Sequence, residues 1–174
     1  MFRLGIVSDT HGWFDPSLPD LLKGCDLIAH AGDVGDGILE ELSAIAPVRA
    51  VLGNSDHGPM RTELPRERVL TLEGLSALVI HDLDRATEAI AATKPRLVIH
   101  GHTHQPGVRL SEGILFVNPG SAGPKRAQLP RSAGRLTVEG QRVEVELFDL
   151  ESDGMIMPSG GFDLGAVSIS RRRS

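Results

Sequence analysis

The chain has 174 residues, of which 40% are hydrophobic and 24% charged, and this composition indicates one globular domain and excludes an intrinsically disordered chain. The single cysteine, Cys25, excludes an intrachain disulfide and a thiolate zinc site, and we expect it to pack in the core. A formal net charge of −5 argues against the broad basic surface with which proteins bind nucleic acids.

The N-terminal residues 1–7 are mostly apolar, but polar residues begin at Ser8, too early for the core of a signal peptide. No apolar stretch approaches the ~20 residues that span a bilayer, so we expect a cytoplasmic protein that does not bind membranes. Three arginines at 171–173 could contact a nucleic acid or a membrane, although a solvated tail is the simpler interpretation.

Short aliphatic runs bounded by turn residues predict strands in the first hundred residues, and apolar residues at helical spacing between them predict helices. The predicted strands are 4–7, 27–30, 48–52, 77–80 and 97–100, and the predicted helices are 37–46 and 85–93. Strands that alternate with helices are typical of a largely parallel α/β arrangement.

After residue 105 strands follow one another without helices. They are predicted at 108–110, 114–118, 135–139 and 143–147, with turns at Glu112-Gly113 and Glu139-Gly140. This pattern predicts hairpins and a second sheet packed on the first.

From Glu151 onward the composition turns to glycine, serine, methionine and proline. We therefore predict one domain over residues 1–150 and a poorly anchored tail over 151–174. The alternative is that Phe162, Leu164 and Val167 dock on the body of the protein or on a neighbouring molecule.

Polar residues cluster where five of the predicted strands end. The clusters are Ser8-Asp9-Thr10-His11, Gly32-Asp33, Gly53-Asn54-Ser55-Asp56, His81-Asp82 and Gly101-His102-Thr103-His104. Because ligands of open α/β sheets bind beyond the carboxyl ends of the strands, we expect these side chains to converge. Four histidines, two aspartates and one asparagine are more ligands than one tetrahedral ion uses, so the set predicts two metal ions.

Each cluster alone has an ordinary structural explanation. An Asp-x-His fragment is little more than chance, Gly-Asp is a common turn, and a lone histidine at a strand end is usually a hydrogen-bonded core residue. A functional site is predicted by the whole set, because five such fragments occur in order and each lies at a strand exit.

In this order the clusters resemble the five sequence blocks of the calcineurin-like metallophosphoesterase superfamily. Asn118-Pro119-Gly120-Ser121 further resembles its small prokaryotic phosphodiesterase branch, and the resemblance covers about residues 2–149. It implies an α/β (α+β) fold of two packed β-sheets flanked by helices, a four-layer sandwich. Its ligand scheme assigns Asp9, His11 and His104 to a first ion, Asn54, His81 and His102 to a second, and Asp33 to a bridge between them.

Two divalent ions ~3.5–4 Å apart can lower the pKa of a bridging water and clamp the phosphate oxygens during an in-line displacement. We therefore expect a phosphodiesterase that uses a bridging hydroxide, with Asp33 and Asn54 as catalytic residues. Manganese is the expected metal, and nickel, iron or zinc are the alternatives. The expected substrate is a small phosphodiester or a nucleotide-like molecule, and the chain could form a homo-oligomer.

Substrate contacts are expected from Ser55 and His57, which lie in the same loop as Asn54. Members of the superfamily that cleave monoesters commonly read Gly-Asn-His here, so the serine removes a candidate general acid and favours diesters. A phosphomonoesterase or nucleotidase is the first alternative. The second is a non-catalytic scaffold, because the resemblance extends to the metallophosphoesterase-like scaffold subunit of retromer.

Several neighbouring residues are predicted to support the site rather than to bind metal. His30 and His100 precede ligand loops, and Asp56 is expected to orient a ligand or the substrate, or to cap a turn. Lys125 and Arg126 could steer phosphates or lie in a solvated loop. Asp82 stands where the superfamily usually has glycine, so it could add a carboxylate near the second ion or distort its loop.

Overall fold

The computed structural model describes residues 1–126, 128–152 and 154–165. Its strands are β1 (Phe2–Val7), β2 (Leu27–His30), β3 (Val48–Ala50), β4 (Glu67–Leu72), β5 (Leu75–Ile80), β6 (Leu97–Ile99), β7 (Gly107–Ser111), β8 (Ile114–Asn118), β9 (Ser132–Glu139), β10 (Arg142–Asp149) and β11 (Met155–Asp163). Its helices are α1 (Leu18–Leu22), α2 (Ile38–Ser43), α3 (Met60–Glu63) and α4 (Thr87–Thr93), with a 3-10 turn at Leu83–Arg85. Among these residues no helix is long and apolar enough to cross a bilayer.

The strands form two mixed sheets. The first sheet has the order β11-β10-β9-β1-β2-β3, and the second has the order β4-β5-β6-β8-β7. Strands β1, β2 and β3 are parallel to one another, as are β5, β6 and β8, while the remaining pairs are antiparallel. The fold is therefore the predicted pair of packed sheets, but the predicted allotment of early strands to one sheet and late hairpins to the other is wrong. Each sheet combines a parallel segment with antiparallel hairpins.

Three hydrophobic clusters fill the layers. The largest lies between the sheets and includes Leu4, Ile6, Val79 and Ile99, all inaccessible to solvent. The outer face of the first sheet packs against α1 and α2, and the outer face of the second packs against α4. The order of layers is thus helix, sheet, sheet, helix, as expected for the sandwich. Cys25 is buried in the cluster beneath α1 and α2, as its sequence context predicted.

The structure contains β4, which the aliphatic pattern did not predict. It pairs antiparallel with β5 through a two-residue turn, in which Glu73 and Gly74 have φ of 50° and 84°. Two consecutive positive φ values are the geometry of the tight hairpin turn that matches strand twist. Glu112 and Gly113 join β7 to β8 in the same way, with φ of 50° and 77°.

The region after residue 150 differs from a poorly anchored tail. Strand β11 pairs antiparallel with β10, Leu164 is fully buried and Phe162 packs against the core between the sheets. Phe162 and Leu164 therefore dock on the body of the protein, which was the alternative to a poorly anchored tail. Val167 and the arginines at 171–173 lie outside the described residues, and the division into 1–150 and 151–174 remains a prediction.

Candidate metal centre

All seven predicted metal ligands lie at the carboxyl ends of parallel strands. Asp9 and His11 follow β1, Asp33 follows β2 and Asn54 follows β3. His81 follows β5, and His102 and His104 follow β6. Because the two sheets pack face to face, the exits of their parallel segments meet at one edge of the sandwich. The floor of this site is buried and consists of Asp9, Asp33, His81 and His104, whereas Asn54 and His102 are exposed at its rim.

The ligands predicted for the first ion surround one point. Nε2 of His104 lies 3.1 Å from Oδ1 of Asp9 and 3.5 Å from Nε2 of His11. Oδ2 of Asp9 accepts hydrogen bonds from the Ser8 hydroxyl at 2.6 Å and from the His102 backbone N–H at 3.1 Å. Oδ1 of Asp9 is buried and has no hydrogen-bond partner among the described residues. A buried carboxylate oxygen without a donor fits a site that a cation completes.

The pKa shifts of Asp9 and His104 are also those expected of residues that bind a cation. Burial raises the pKa of Asp9 despite the hydrogen bond from Ser8, and burial lowers the pKa of His104 despite the neighbouring Asp9. A divalent cation would supply the positive charge that the buried carboxylate needs, and it would bind the neutral form of the imidazole.

The ligands predicted for the second ion meet at the side-chain oxygen of Asn54. This Oδ1 lies 3.0 Å from Nε2 of His81 and 2.9 Å from Nδ1 of His102. The ring of His81 is oriented from behind, because its Nδ1 lies 2.8 Å from the carbonyl oxygen of Ala31. A histidine whose other ring nitrogen donates to a carbonyl presents Nε2 in a fixed direction, which is the usual support of a metal ligand.

Asp33 lies between the two groups. Its Oδ2 is 3.4 Å from Nε2 of His81 and 3.9 Å from Nε2 of His11, and its Oδ1 accepts a hydrogen bond from the backbone N–H of Ser55 at 2.8 Å. Burial disfavours its charge, but the interactions with His81 and Ser55 outweigh burial and hold the pKa of Asp33 well below its usual range. Conversely, burial lowers the pKa of His81, but Asp33 and the Ala31 carbonyl outweigh it and raise that pKa.

Five of the seven predicted ligands have positive backbone φ angles. The values are 54° for Asp9, 48° for His11, 54° for Asp33, 70° for His102 and 58° for His104. Residues other than glycine seldom adopt this left-handed conformation, which costs on the order of 1–3 kcal/mol each unless the surroundings fix it. Hydrogen bonds between strand exits fix two of these residues, because Asp9 donates its N–H to Gly32 O and His11 donates its N–H to Asp33 O, both at 3.0 Å.

The glycines of the ligand motifs allow the strand exits to approach one another. A Cβ at Gly53 would collide with the backbone nitrogen and Oδ1 of Asp33, and a Cβ at Gly101 would collide with the side chains of Ser8 and Asp9. Asp56 also holds the loops that follow β2 and β3 close together. Its carboxylate accepts from Val34 N at 2.7 Å and from Gly53 N at 2.8 Å, so it holds two ligand loops together.

Three further residues border the ligand loops, namely His30 and His100, for which a supporting role was predicted, and Asn118, for which it was not. His30 is fully buried, with Nε2 2.8 Å from Oγ1 of Thr10 and Nδ1 accepting from Gly32 N at 3.2 Å. Burial holds the pKa of His30 at about 3, so this imidazole is neutral. Asn118 donates to Gly101 O at 3.1 Å and to Thr103 Oγ1 at 3.0 Å, which fixes the loop of His102 and His104. His100 borders the same loop, and burial lowers its pKa.

Ser55 and His57 lie at the rim, where contact with a substrate was predicted. The hydroxyl of Ser55 is 3.3 Å from Nδ1 of His11, so its nearest partner is a predicted metal ligand. His57 is exposed, with Nδ1 3.3 Å from the carbonyl oxygen of Ser55. Asp82 is engaged elsewhere, because it accepts from Asp84 N at 3.0 Å and pairs with Arg85 at 3.2 Å.

Comparison with known proteins identifies the family. The model of the calcineurin-like phosphoesterase superfamily domain matches residues 2–141. The chain belongs to this superfamily. A probable metallophosphoesterase of Methanothermobacter thermautotrophicus is 32% identical over 157 residues, which cover 83% of this chain and 90% of that protein. These findings confirm the predicted superfamily and its small prokaryotic branch.

Two solved structures share the fold. The phosphoesterase Yfce of E. coli has a TM-score of 0.70 and is 22% identical, and the match covers 94% of this chain and 100% of that chain. Vps29 of Entamoeba histolytica in complex with Zn²⁺ has a TM-score of 0.76 and 19% identity, covering 94% of this chain and 99% of that one. Membership of the superfamily makes metal-dependent phosphoester hydrolysis the general activity of this chain and divalent metal ions its cofactors.

Proposed function

We propose that this protein is a binuclear metal-dependent phosphodiesterase that acts on small phosphodiesters or nucleotide-like molecules. The observation that carries the proposal is the position of Asp33, whose Oδ2 faces Nε2 of both His11 and His81 at 3.9 Å and 3.4 Å. A carboxylate between two imidazole-containing groups is suited to bridge two cations.

The buried residues of the floor and the exposed residues of the rim are proposed to have different roles. The buried floor residues Asp9, Asp33, His81 and His104 would hold two ions where little water reaches them. When bound, those ions supply an activated water as nucleophile and positive charge for the phosphate oxygens. At the rim, the exposed Asn54 would bind the second ion through Oδ1, which lies 3.0 Å from Nε2 of His81, and its Nδ2 would be left to donate to a phosphate oxygen of the substrate.

The preference for diesters follows from the side chains around Asn54. A poor leaving group needs a proton in the transition state, and a positioned acid supplies it. Ser55 is too weak an acid near neutral pH and its hydroxyl contacts His11, so the leaving group must depart largely unaided. Manganese suits the nitrogen and oxygen ligands, and we propose it as the metal that activates best.

A protein-interaction scaffold is the second candidate. The likeness of fold to Vps29 fits it, although at 19% identity this likeness concerns the fold alone. Against it stands the complete set of seven competent ligand side chains, which a scaffold has no chemical need to keep.

Metal analysis combined with hydrolysis tests the proposal. Protein purified with excess Mn²⁺ should hold about two ions per chain and hydrolyse a chromogenic aryl phosphodiester. Asp33→Asn keeps the shape of the side chain but removes the charge between the ions, so we expect turnover to fall by about two orders of magnitude or more while circular dichroism stays unchanged. A wild-type protein without bound metal, and without activity with any added divalent ion, would favour the scaffold.

A further inference from the structure

Two adjacent cations near the site, Lys125 and Arg126, have different partners. Nζ of Lys125 pairs with the carboxylate of Glu151 at 2.7 Å, away from the predicted ligands. Nη2 of Arg126 lies 3.4 Å from Nε2 of His11, the ring nitrogen assigned to the first ion. The structure thus separates the two interpretations left open by the sequence. Lys125 belongs to a surface ion pair, and Arg126 reaches the metal centre.

The segment that carries Arg126 is fixed on the exit of β1. The Ser121 hydroxyl and the Gly123 backbone N–H both donate to the carbonyl oxygen of Asp9, at 2.9 Å and 3.1 Å. Arg131 donates from Nε to the carbonyl oxygen of Gly123 at 2.7 Å. The chain is therefore anchored to the predicted ligand Asp9 at a point three residues before Arg126.

Arg126 and a metal ion need the same atom. A neutral imidazole has one lone pair in its ring plane, and at Nε2 of His11 it can accept from the guanidinium or bind a cation, but not both. A dication there would also repel the guanidinium. Among the described residues Arg126 has no carboxylate partner, so its donors must find another acceptor when His11 binds an ion.

We propose that Arg126 binds a non-bridging oxygen of the phosphate at this site, and that it competes with the first metal ion for His11 when no phosphate is bound. The inference rests on the proposed function and adds a specificity residue to it. The ligand is a tetrahedral phosphate oxyanion, in the diester substrate or as released inorganic phosphate. A guanidinium suits it, because its planar donors match two oxygens of a phosphate group.

The proposal predicts two changes of opposite sign in Arg126→Gln. In phosphate-free buffer the variant should bind Mn²⁺ more tightly at the first site, by a few-fold, since the competing cation is gone. When loaded with Mn²⁺, it should bind inorganic phosphate about ten-fold or more weakly, because a charge-assisted hydrogen bond is lost. The KM of the variant for an aryl phosphodiester should rise as well, because the substrate carries the same phosphate oxygens. Isothermal titration calorimetry measures both affinities, and Lys125→Gln is the matched control, expected to match wild type in each.

The outcomes separate this inference from the proposed function. A wild-type protein that binds neither Mn²⁺ nor phosphate overturns both. A wild-type protein that binds both, with an Arg126→Gln variant of unchanged affinities, overturns only the role of Arg126. Weaker binding of Mn²⁺ as well as phosphate also overturns it, since that pattern indicates a damaged loop. Arg126 is exposed, so the variant should fold, and Arg126→Lys should restore part of the phosphate affinity.

Discussion

At the scale of single residues, Ser55 contacts two predicted metal ligands at once. Its backbone N–H donates to Asp33 at 2.8 Å, and its hydroxyl lies 3.3 Å from Nδ1 of His11. If Nδ1 of His11 donates to this hydroxyl, Nε2 is left free to bind a cation, which is the arrangement that fixes a histidine ligand. In that arrangement Ser55 would hold the predicted ligand His11 from the side of the rim, in addition to the substrate contact predicted for it.

The same residue decides which leaving groups the site can handle. An imidazole at position 55 would offer an acid near the leaving group, and a positioned acid is worth about 10²–10⁴-fold on poor leaving groups. We expect Ser55→His to raise the ratio of alkyl monoester to aryl diester hydrolysis at least about ten-fold, less than the full contribution of a positioned acid, because the surrounding residues do not hold the new imidazole in place. Steady-state rates on the two substrates measure this ratio.

Ser55→Ala is the matched control, because it loses the contact with His11 without adding an acid. It should lower both rates and leave the ratio unchanged. His57 is the other source of a proton, since it lies in the same exposed loop. If His57→Ala depresses turnover of poor leaving groups only, His57 supplies the acid, and the argument from Ser55 fails. A wild-type preference for alkyl monoesters that neither variant alters would also contradict it.

At the scale of elements, the sequence predicted the strand exits better than their geometry. Aliphatic runs followed by Gly-Asp, Gly-Asn or Gly-His mark both the end of a buried strand and the start of a ligand loop. The left-handed φ angles of residues such as Asp9 and His11 carry no such signal, because hydrogen bonds between loops far apart in sequence hold them. For the same reason, nothing in the sequence distinguished Arg126 from Lys125.

Strand β4 is indicated in the sequence by its turn rather than by its hydrophobic pattern. Glu73-Gly74 forms the same tight turn as Glu112-Gly113, which did predict a hairpin. The strand itself, with Val69 exposed and Leu70 and Leu72 buried, has only a short apolar alternation. Turn chemistry therefore predicts this hairpin where hydrophobic periodicity does not.

The exits of β1 and β2 are joined through one neutral imidazole. His30 bonds Thr10 and Gly32 and stays uncharged in the folded chain, where its pKa is about 3. In the unfolded chain a histidine binds a proton near pH 6.5. Between these two values the unfolded state holds more protons, so the free energy of unfolding should fall by about 1.4 kcal/mol for each pH unit below 6.5.

Urea unfolding between pH 7 and pH 4 tests this linkage in wild type and in His30→Gln. The amide of glutamine can keep one of the hydrogen bonds but does not titrate, so the variant should be less stable at pH 7 and have a shallower pH dependence. The difference between the two slopes cancels the contribution of carboxylates that titrate in both proteins. Equal slopes would show that His30 is not the group responsible.

At the scale of the whole molecule, the chain divides its strands between sheets in a way that local sequence does not reveal. Strands β1–β3 open one sheet, β4–β8 form the other, and β9–β11 return to the first. Each strand needs only an apolar run, and both sheets offer the same kind of buried surface. The strand pattern and the resemblance to a known family both predicted two packed sheets, whereas apolar runs do not reveal which strand belongs to which sheet.

The return of the chain to the first sheet extends to Leu164, the residue that most directly tests how the region after 150 is anchored. Leu164 is inaccessible to solvent, belongs to the cluster between the sheets and donates its N–H to Gln141 O at 2.9 Å. Leu164→Ala should therefore lower the free energy of unfolding by about 2–5 kcal/mol, as for other buried leucines. Strand β11 lies at the edge of its sheet, separated from β1 by β10 and β9, so kcat on an aryl diester should stay unchanged.

The matched control is Leu110→Ala, because Leu110 is 46% exposed and its loss should change stability by less than about 0.5 kcal/mol. Chemical unfolding of both variants decides the question. If Leu164→Ala costs no more than Leu110→Ala, the region after 150 is the poorly anchored tail that its composition predicted, and β11 adds nothing to the stability of the sandwich.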